Sequence, residues 1–140
     1  MTRNDSRLLR FTLSVAAFFI VCIPIACKDT VSAPDLNDIV FPAKGVSYGK
    51  QVEPLFLNGC AYTGCHDSET RAGGLSLENF QETLDSDPNV IVPGDTARSK
   101  LIWSIEGKNA MARMPLDRPY LNTNQTNGLK QWILEGAQNN

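Results

Sequence analysis

Apolar residues along the chain fall into one dense N-terminal run and, further on, into short groups with helical spacing. The dense run covers residues 11–25 and follows Arg3, Arg7 and Arg10. From Ser47 onward, Tyr48, Val52, Leu55 and Phe56 recur on one helical face. Ser47 is placed to cap this helix, and Gly59 stands where a left-handed C-terminal residue is wanted. Pro54 lacks an N–H, so this first helix is expected to kink or start afresh there. A loop with Gly73-Gly74 follows at residues 71–77. Asn79-Phe80-Gln81-Glu82 then has capping-box spacing for a short helix ending near Leu84.

Val90-Ile91-Val92 is β-branched but is stopped by Pro93-Gly94, so an extended segment without a sheet is expected. Asp95 or Thr96 can cap a third helix in which Leu101, Ile102 and Ile105 share a face and which Gly107 ends. Pro115 and Pro119 exclude helix from residues 108–120. A last helix is framed by the Asn122/Gln125 capping box, the Leu129, Trp132, Ile133 face and Gly136. The pattern predicts an all-α domain of about four helices with long loops between them.

With 140 residues and 42% hydrophobic content, the chain has room for one small domain, and no internal repeat is visible. The N-terminal run counts 15 residues, fewer than the roughly 20 that span a bilayer as a helix. Its order, arginines first and apolar residues after, is that of a secretory signal peptide. Residues 1–26 are therefore expected to be removed on export. The run ends in Pro24-Ile25-Ala26-Cys27, which resembles a bacterial lipobox, with Cys27 as the lipidated mature N-terminus. Ordinary signal cleavage nearby is the alternative. Acyl chains on Cys27 would hold the protein at a membrane, and Lys28-Asp29 points to the outer membrane of a Gram-negative-type bacterium. Residues 27–45, with Pro34 and Pro42 and no apolar periodicity, are expected to form a tether to a domain at 46–138.

Loss of the signal leaves ten basic and fourteen acidic residues, a net charge of −4. No basic stripe remains to neutralise phosphates, so nucleic acid is not an expected partner. No Ser/His/Asp set and no Gly-rich phosphate loop suggests an enzyme.

Export also leaves Cys60 and Cys65 as the cysteines of the folded part, in Cys60-Ala61-Tyr62-Thr63-Gly64-Cys65-His66. Two cysteines followed at once by the only histidine follow the pattern of covalent haem attachment, except that four residues separate them instead of two. In that chemistry, thioether bonds to both sulfurs hold the ring and the adjacent histidine reaches the iron. Gly64 is suited to let the longer segment bulge. A second histidine does not exist, so a second axial ligand falls to a methionine, Met114 before Met111. Pro115 biases Met114 towards extended backbone. A His/Met iron has a raised potential, which suits an electron carrier. Two other readings remain open here: a Cys60–Cys65 disulfide in a surface-exposed binding module without cofactor, and a thiolate and imidazole site for copper or zinc.

The chain also resembles the planctomycete-type small cytochrome c domain from Val52 to Ala137. The resemblance rests on Val52-Glu53-Pro54-Leu55-Phe56, Gly73-Gly74-Leu75-Ser76-Leu77, Val92-Pro93-Gly94-Asp95 and Ser99-Lys100-Leu101-Ile102. It continues through Arg113-Met114-Pro115, Leu121, Leu129, Trp132-Ile133 and Gly136-Ala137. It implies one covalent haem c on Cys60 and Cys65, His66 as proximal and Met114 as distal iron ligand, and electron exchange with redox protein partners in the periplasm. A peroxidase-like haem enzyme is the alternative if Met114 does not reach the iron. Asp67, Leu116 and Thr126 depart from the pattern. Arg113 is expected either to pair with a haem propionate or to be solvated. Leu55, Phe56, Leu101 and Trp132 are expected to line a cleft across which His66 and Met114 face one another.

Overall fold

The computed structural model describes residues 35–140, so the expected signal peptide, Cys27 and the first part of the expected tether lie outside the described residues. Four α-helices and no strand are found among the described residues: α1 (Glu53–Gly59), α2 (Phe80–Ser86), α3 (Lys100–Glu106) and α4 (Thr123–Leu134). The expected all-α class is the observed one.

The first helix starts afresh at its proline. Residues Tyr48–Val52 form a wider π turn capped by Ser47, and Pro54 occupies the opening turn of α1, where a missing N–H costs nothing. Gly59 is the last residue of α1 and is not left-handed. Cys60 instead ends the helix, donating its N–H to the Phe56 carbonyl at 2.8 Å. The Asn79 side chain caps α2, which runs past Leu84 to Ser86. The cap of α3 is Ser99, not Asp95 or Thr96. Asp95 makes its own turn, accepting from the N–H groups of Ala97 and Arg98, and this delays the helix by one turn. Gly107 ends α3 in the left-handed conformation at φ 65°, as expected. The Asn122/Gln125 capping box is complete. Beyond α4, the Gly136 and Ala137 N–H groups return to the Ile133 and Trp132 carbonyls, closing the helix with a Schellman pair.

The core forms where these short helices meet. Trp132 packs tilted on Tyr48 and edge-on to Phe56, and Tyr48 meets Phe80 edge-on at 5.1 Å. Leu55, Leu129 and Ile133 fill the space around them. The chain end closes the far side, where Asn140 accepts the Tyr48 N–H on its side chain and the Gly49 N–H on its carbonyl.

Residues 36–45, expected to be tether, pack on the domain. Residues Leu36–Asp38 form a 3-10 turn, and Ile39 and Phe41 are buried. Asn124 both accepts the Phe41 N–H and donates to the Phe41 carbonyl. Gln125 donates to the Leu36 carbonyl, and Glu135 accepts the N–H groups of Gly45 and Val46. Ile39 and Phe41, at alternate positions, together with Leu36 dock this segment on the core and on α4, so residues 36–45 pack with the domain.

Candidate functional site

The end of α1 delivers the segment 60–66, and backbone hydrogen bonds fold it into a tight, closed loop. Cys65 donates its N–H to the Tyr62 carbonyl at 2.8 Å, and His66 donates to the Cys60 carbonyl at 3.3 Å. Gly64 takes φ +87°, the positive value expected of a bulge between the cysteines, and its N–H meets the Thr70 hydroxyl at 2.9 Å. The carbonyls of Cys65 and His66 in turn accept from Ala72 and Leu77, each at 2.8 Å. The cysteine loop is therefore stitched to residues 70–77, and the orientation of Cys65 and His66 is fixed from both sides.

Asp67, which departs from the family pattern, has a local role. Its carboxylate accepts the Thr70 N–H at 2.7 Å and its carbonyl accepts from Arg71, so it builds the turn that follows His66. Hydrogen bonding from Thr70 is the main reason its carboxyl titrates below the ordinary range.

A cavity of about 480 Å³ opens beside this loop. Cys60, Cys65, His66, Met111 and Met114 all line it, so every sulfur and imidazole named from the sequence in this part of the chain comes to one place. Met114 is half-buried and held by its N–H on the Ser104 carbonyl at 2.9 Å, which fastens the 108–120 loop to α3. The Met114–Pro115 peptide is cis. Met111 is more open, 38% exposed, and lies at the rim with Leu116.

The apolar lining differs from the expected one. Leu101 is present, but Leu55, Phe56 and Trp132 do not line the cavity. They are buried in the core behind it. Their places are taken by Leu75, Leu77, Val90, Ile105 and Leu121. Ile105 was legible in advance, one turn beyond Leu101 on the same face of α3. Leu77 and Val90 lie in irregular backbone, where no periodicity marks them.

Both cysteines are free thiols, so the disulfide reading is not the arrangement found. Cys60 packs against the core. Burial, with a smaller contribution from Cys65, pushes its thiol up to about 12, and it stays protonated at neutral pH. Among the described residues no three His, Cys, Asp or Glu side chains converge on a point that could hold a metal ion directly, which counts against the copper or zinc reading. His66 carries a buried ring nitrogen, Nδ1, with no hydrogen-bond partner. Such an orphan costs about 1–3 kcal/mol, and local packing does not satisfy this imidazole nitrogen. Two sulfurs on one loop, an imidazole beside them and a thioether on a separate loop, around an apolar space, fit a haem attached through both cysteines.

Two arginines flank Met114, and they behave differently. Arg113 does not line the cavity. It stacks on Tyr120, 3.9 Å from the ring centroid, and its Nε donates to the Ile105 carbonyl at 3.3 Å. Arg113 is exposed, in keeping with the solvated alternative, with its stacking and backbone contact in addition. Arg118 does line the cavity and lies 3.4 Å from the centroid of Tyr62, the residue midway between the cysteines. Nothing in the sequence spacing signalled that contact.

Residues 63–117 match the family model described as Planctomycete cytochrome C. The match agrees with the resemblance read from the sequence over less than half of the chain. It includes Cys65, His66, Met111 and Met114, and it begins after Cys60. No curated protein and no solved structure gives a significant match.

Proposed function

We propose that this protein is a single-haem c-type cytochrome that carries electrons outside the cytoplasm, anchored to a membrane by a lipid on Cys27. The observation that carries the reading is one apolar cavity gathering Cys60, Cys65, His66 and Met114. The family match supports it independently. When bound, haem supplies one-electron exchange at its iron. The residues supply the rest.

Cys60 and Cys65 would hold the ring through thioether bonds, and His66, kept in position by the backbone bonds on either side of it, would supply the imidazole ligand. Met114, presented by a loop tied to α3, would supply the thioether ligand. The pairing of a neutral imidazole with a thioether sets a raised potential. Leu75, Leu77, Val90, Leu101, Ile105 and Leu121 exclude water from the ring faces. The exposed rim at Met111 and Leu116 is the side from which a redox protein partner approaches. His66 and Met114 together would leave no open position for a substrate, which favours electron exchange over substrate activation. The signal-like order of residues 1–26 and the lipobox-like Cys27 support a location in the periplasm, at a membrane surface.

The axial assignment is tested in protein produced with a periplasmic haem-ligation system. Met114→Ala removes the weak red-end sulfur-to-iron absorption and lowers the midpoint potential, while Met111→Ala leaves both as they are. An unchanged band in M114A, with loss in M111A, assigns the distal position to Met111. A band insensitive to both contradicts thioether ligation.

A further inference from the structure

Two carboxylates and two cations line the cavity, and one pair of them is joined. The cations are Lys100 and Arg118. Lys100 is committed, since its ammonium pairs with Asp87, which lines the same cavity. Arg118 has no carboxylate partner among the described residues, although Asp117 precedes it and also lines the cavity. By contrast, Arg71, Arg98, Lys108 and Lys130 are each paired with a carboxylate, and Arg113 donates to a backbone carbonyl.

The stacking on Tyr62 explains how an unpaired guanidinium is held in place. A guanidinium face on an aromatic ring is favourable, and it leaves the N–H donors, which lie in the guanidinium plane, unused. The Tyr62 hydroxyl donates to the Asn58 carbonyl at the end of α1, so the ring that carries Arg118 is itself anchored. The result is a fork of N–H donors at the cavity wall, beside the cysteine loop, with its face occupied and its edges free. That geometry suits a carboxylate in bidentate contact.

We infer that Arg118, seated on Tyr62, binds a propionate carboxylate of the haem and thereby raises the reduction potential of the iron. The inference rests on the haem reading above. It assigns a cofactor contact to a residue beyond the matched segment, which ends at residue 117. A cation held beside the ring favours the reduced iron, which carries one positive charge fewer, so losing it lowers the potential. Arg118 also joins the loop bearing Met114 to the loop bearing the cysteines, so the same carboxylate contact would close the cavity wall.

The experiment uses the full chain with its covalent haem and compares Arg118→Gln, Arg118→Lys and Arg113→Gln at neutral pH. Two quantities are read: the midpoint potential and the propionate bending vibration in the resonance Raman spectrum. R118Q is expected to lower the potential and shift the vibration to lower frequency. R118K is expected to keep most of the potential while still moving the vibration, because an ammonium replaces the fork. R113Q should alter neither. An R118Q vibration at the wild-type frequency overturns the inference even if the potential falls, since a distant charge effect would then suffice. If R118Q does not retain haem, R118K carries the test, and an unmoved vibration there overturns it equally. Wild-type protein without any haem absorption is a separate outcome, which removes the underlying reading and this inference with it.

Discussion

Tyr48 carries its hydroxyl into the core with no acceptor, although its ring is at the centre of the aromatic cluster. Burial, assisted by the Glu53 carboxylate, pushes the phenol up from 10.0 to about 12. The folded state therefore holds the proton more tightly than the unfolded one. The corresponding stability is complete below pH 10 and is lost as pH rises towards 12. Tyr48→Phe keeps the ring and removes the orphan, so it should leave the protein unchanged or more stable by about 1 kcal/mol in chemical denaturation. It should also lessen the alkaline decline. A loss of more than about 1 kcal/mol would mean that the hydroxyl does find a partner. Tyr48 was legible in the sequence as a core residue from its spacing with Val52 and Phe56. The unsatisfied oxygen was not, because it depends on which side chains surround the ring tip. The same limit hid the pairing of Arg118 with Tyr62, whose residues are distant in sequence and meet through two unrelated loops.

Helix ends were the most readable feature at the scale of elements, because a cap is decided within four residues. The Asn122/Gln125 box, the Asn79 cap, the restart at Pro54 and the stop at Gly107 are all where local chemistry puts them. The misreadings arose where two local solutions competed. Asp95 satisfied neighbouring N–H groups in a turn of its own and left the cap of α3 to Ser99. Gly59 remained helical because Cys60 ended α1 instead. Contacts between elements were less readable, and the docking of residues 36–45 on α4 shows why.

The ring of Phe41 lies over Gly128 so closely that a Cβ there would meet it at 2.0 Å. A glycine within a helix usually costs about 1 kcal/mol relative to alanine, so Gly128 reads as a weakness until its neighbour is known. Gly128→Ala should destabilise the domain by about 1–3 kcal/mol, as overpacking does, despite the better propensity. Combined with Phe41→Ala, which opens the space, the same substitution should become neutral or favourable. Thermal denaturation of the two single variants and the double variant checks this. Equal effects of G128A in both backgrounds would mean that residues 36–45 are a tether after all.

Charge acts on the molecule as a whole. Six carboxylates titrate below their ordinary values: Asp67 through Thr70, Glu82 through Ser76 and Asn79, Asp87 through Lys100, Asp95 through Arg98, Glu106 through Lys108 and Lys130, and Glu135 through Gln131 and the N–H groups of Gly45 and Val46. In each the folded state favours the ionised form. The stability they give is present above the unfolded carboxylate range, near pH 4, and is lost as pH falls through the lower folded values. Denaturation midpoints should therefore hold steady down to about pH 5 and decline below about pH 4. A rise in stability on acidification would contradict these assignments. Three of the six contacts join distant parts of the chain: Asp87 ties the end of α2 to Lys100 at the start of α3, Glu106 links α3 to Lys130 on α4, and Glu135 ties the end of α4 to residues 45 and 46.

The account as a whole turns on the segment that looked irregular in the sequence. Its four-residue gap is accommodated by Gly64 and by a closed set of backbone bonds, and both cysteines still line one cavity with His66 and Met114. The most direct measurement is the mass of the peptide spanning residues 60–66, from protein made with a haem-ligation system and digested after denaturation. One haem should remain covalently bound to that peptide, with neither Cys60 nor Cys65 open to alkylation. A haem-free peptide with two alkylatable thiols, or with Cys60 and Cys65 joined as a disulfide, would contradict the account.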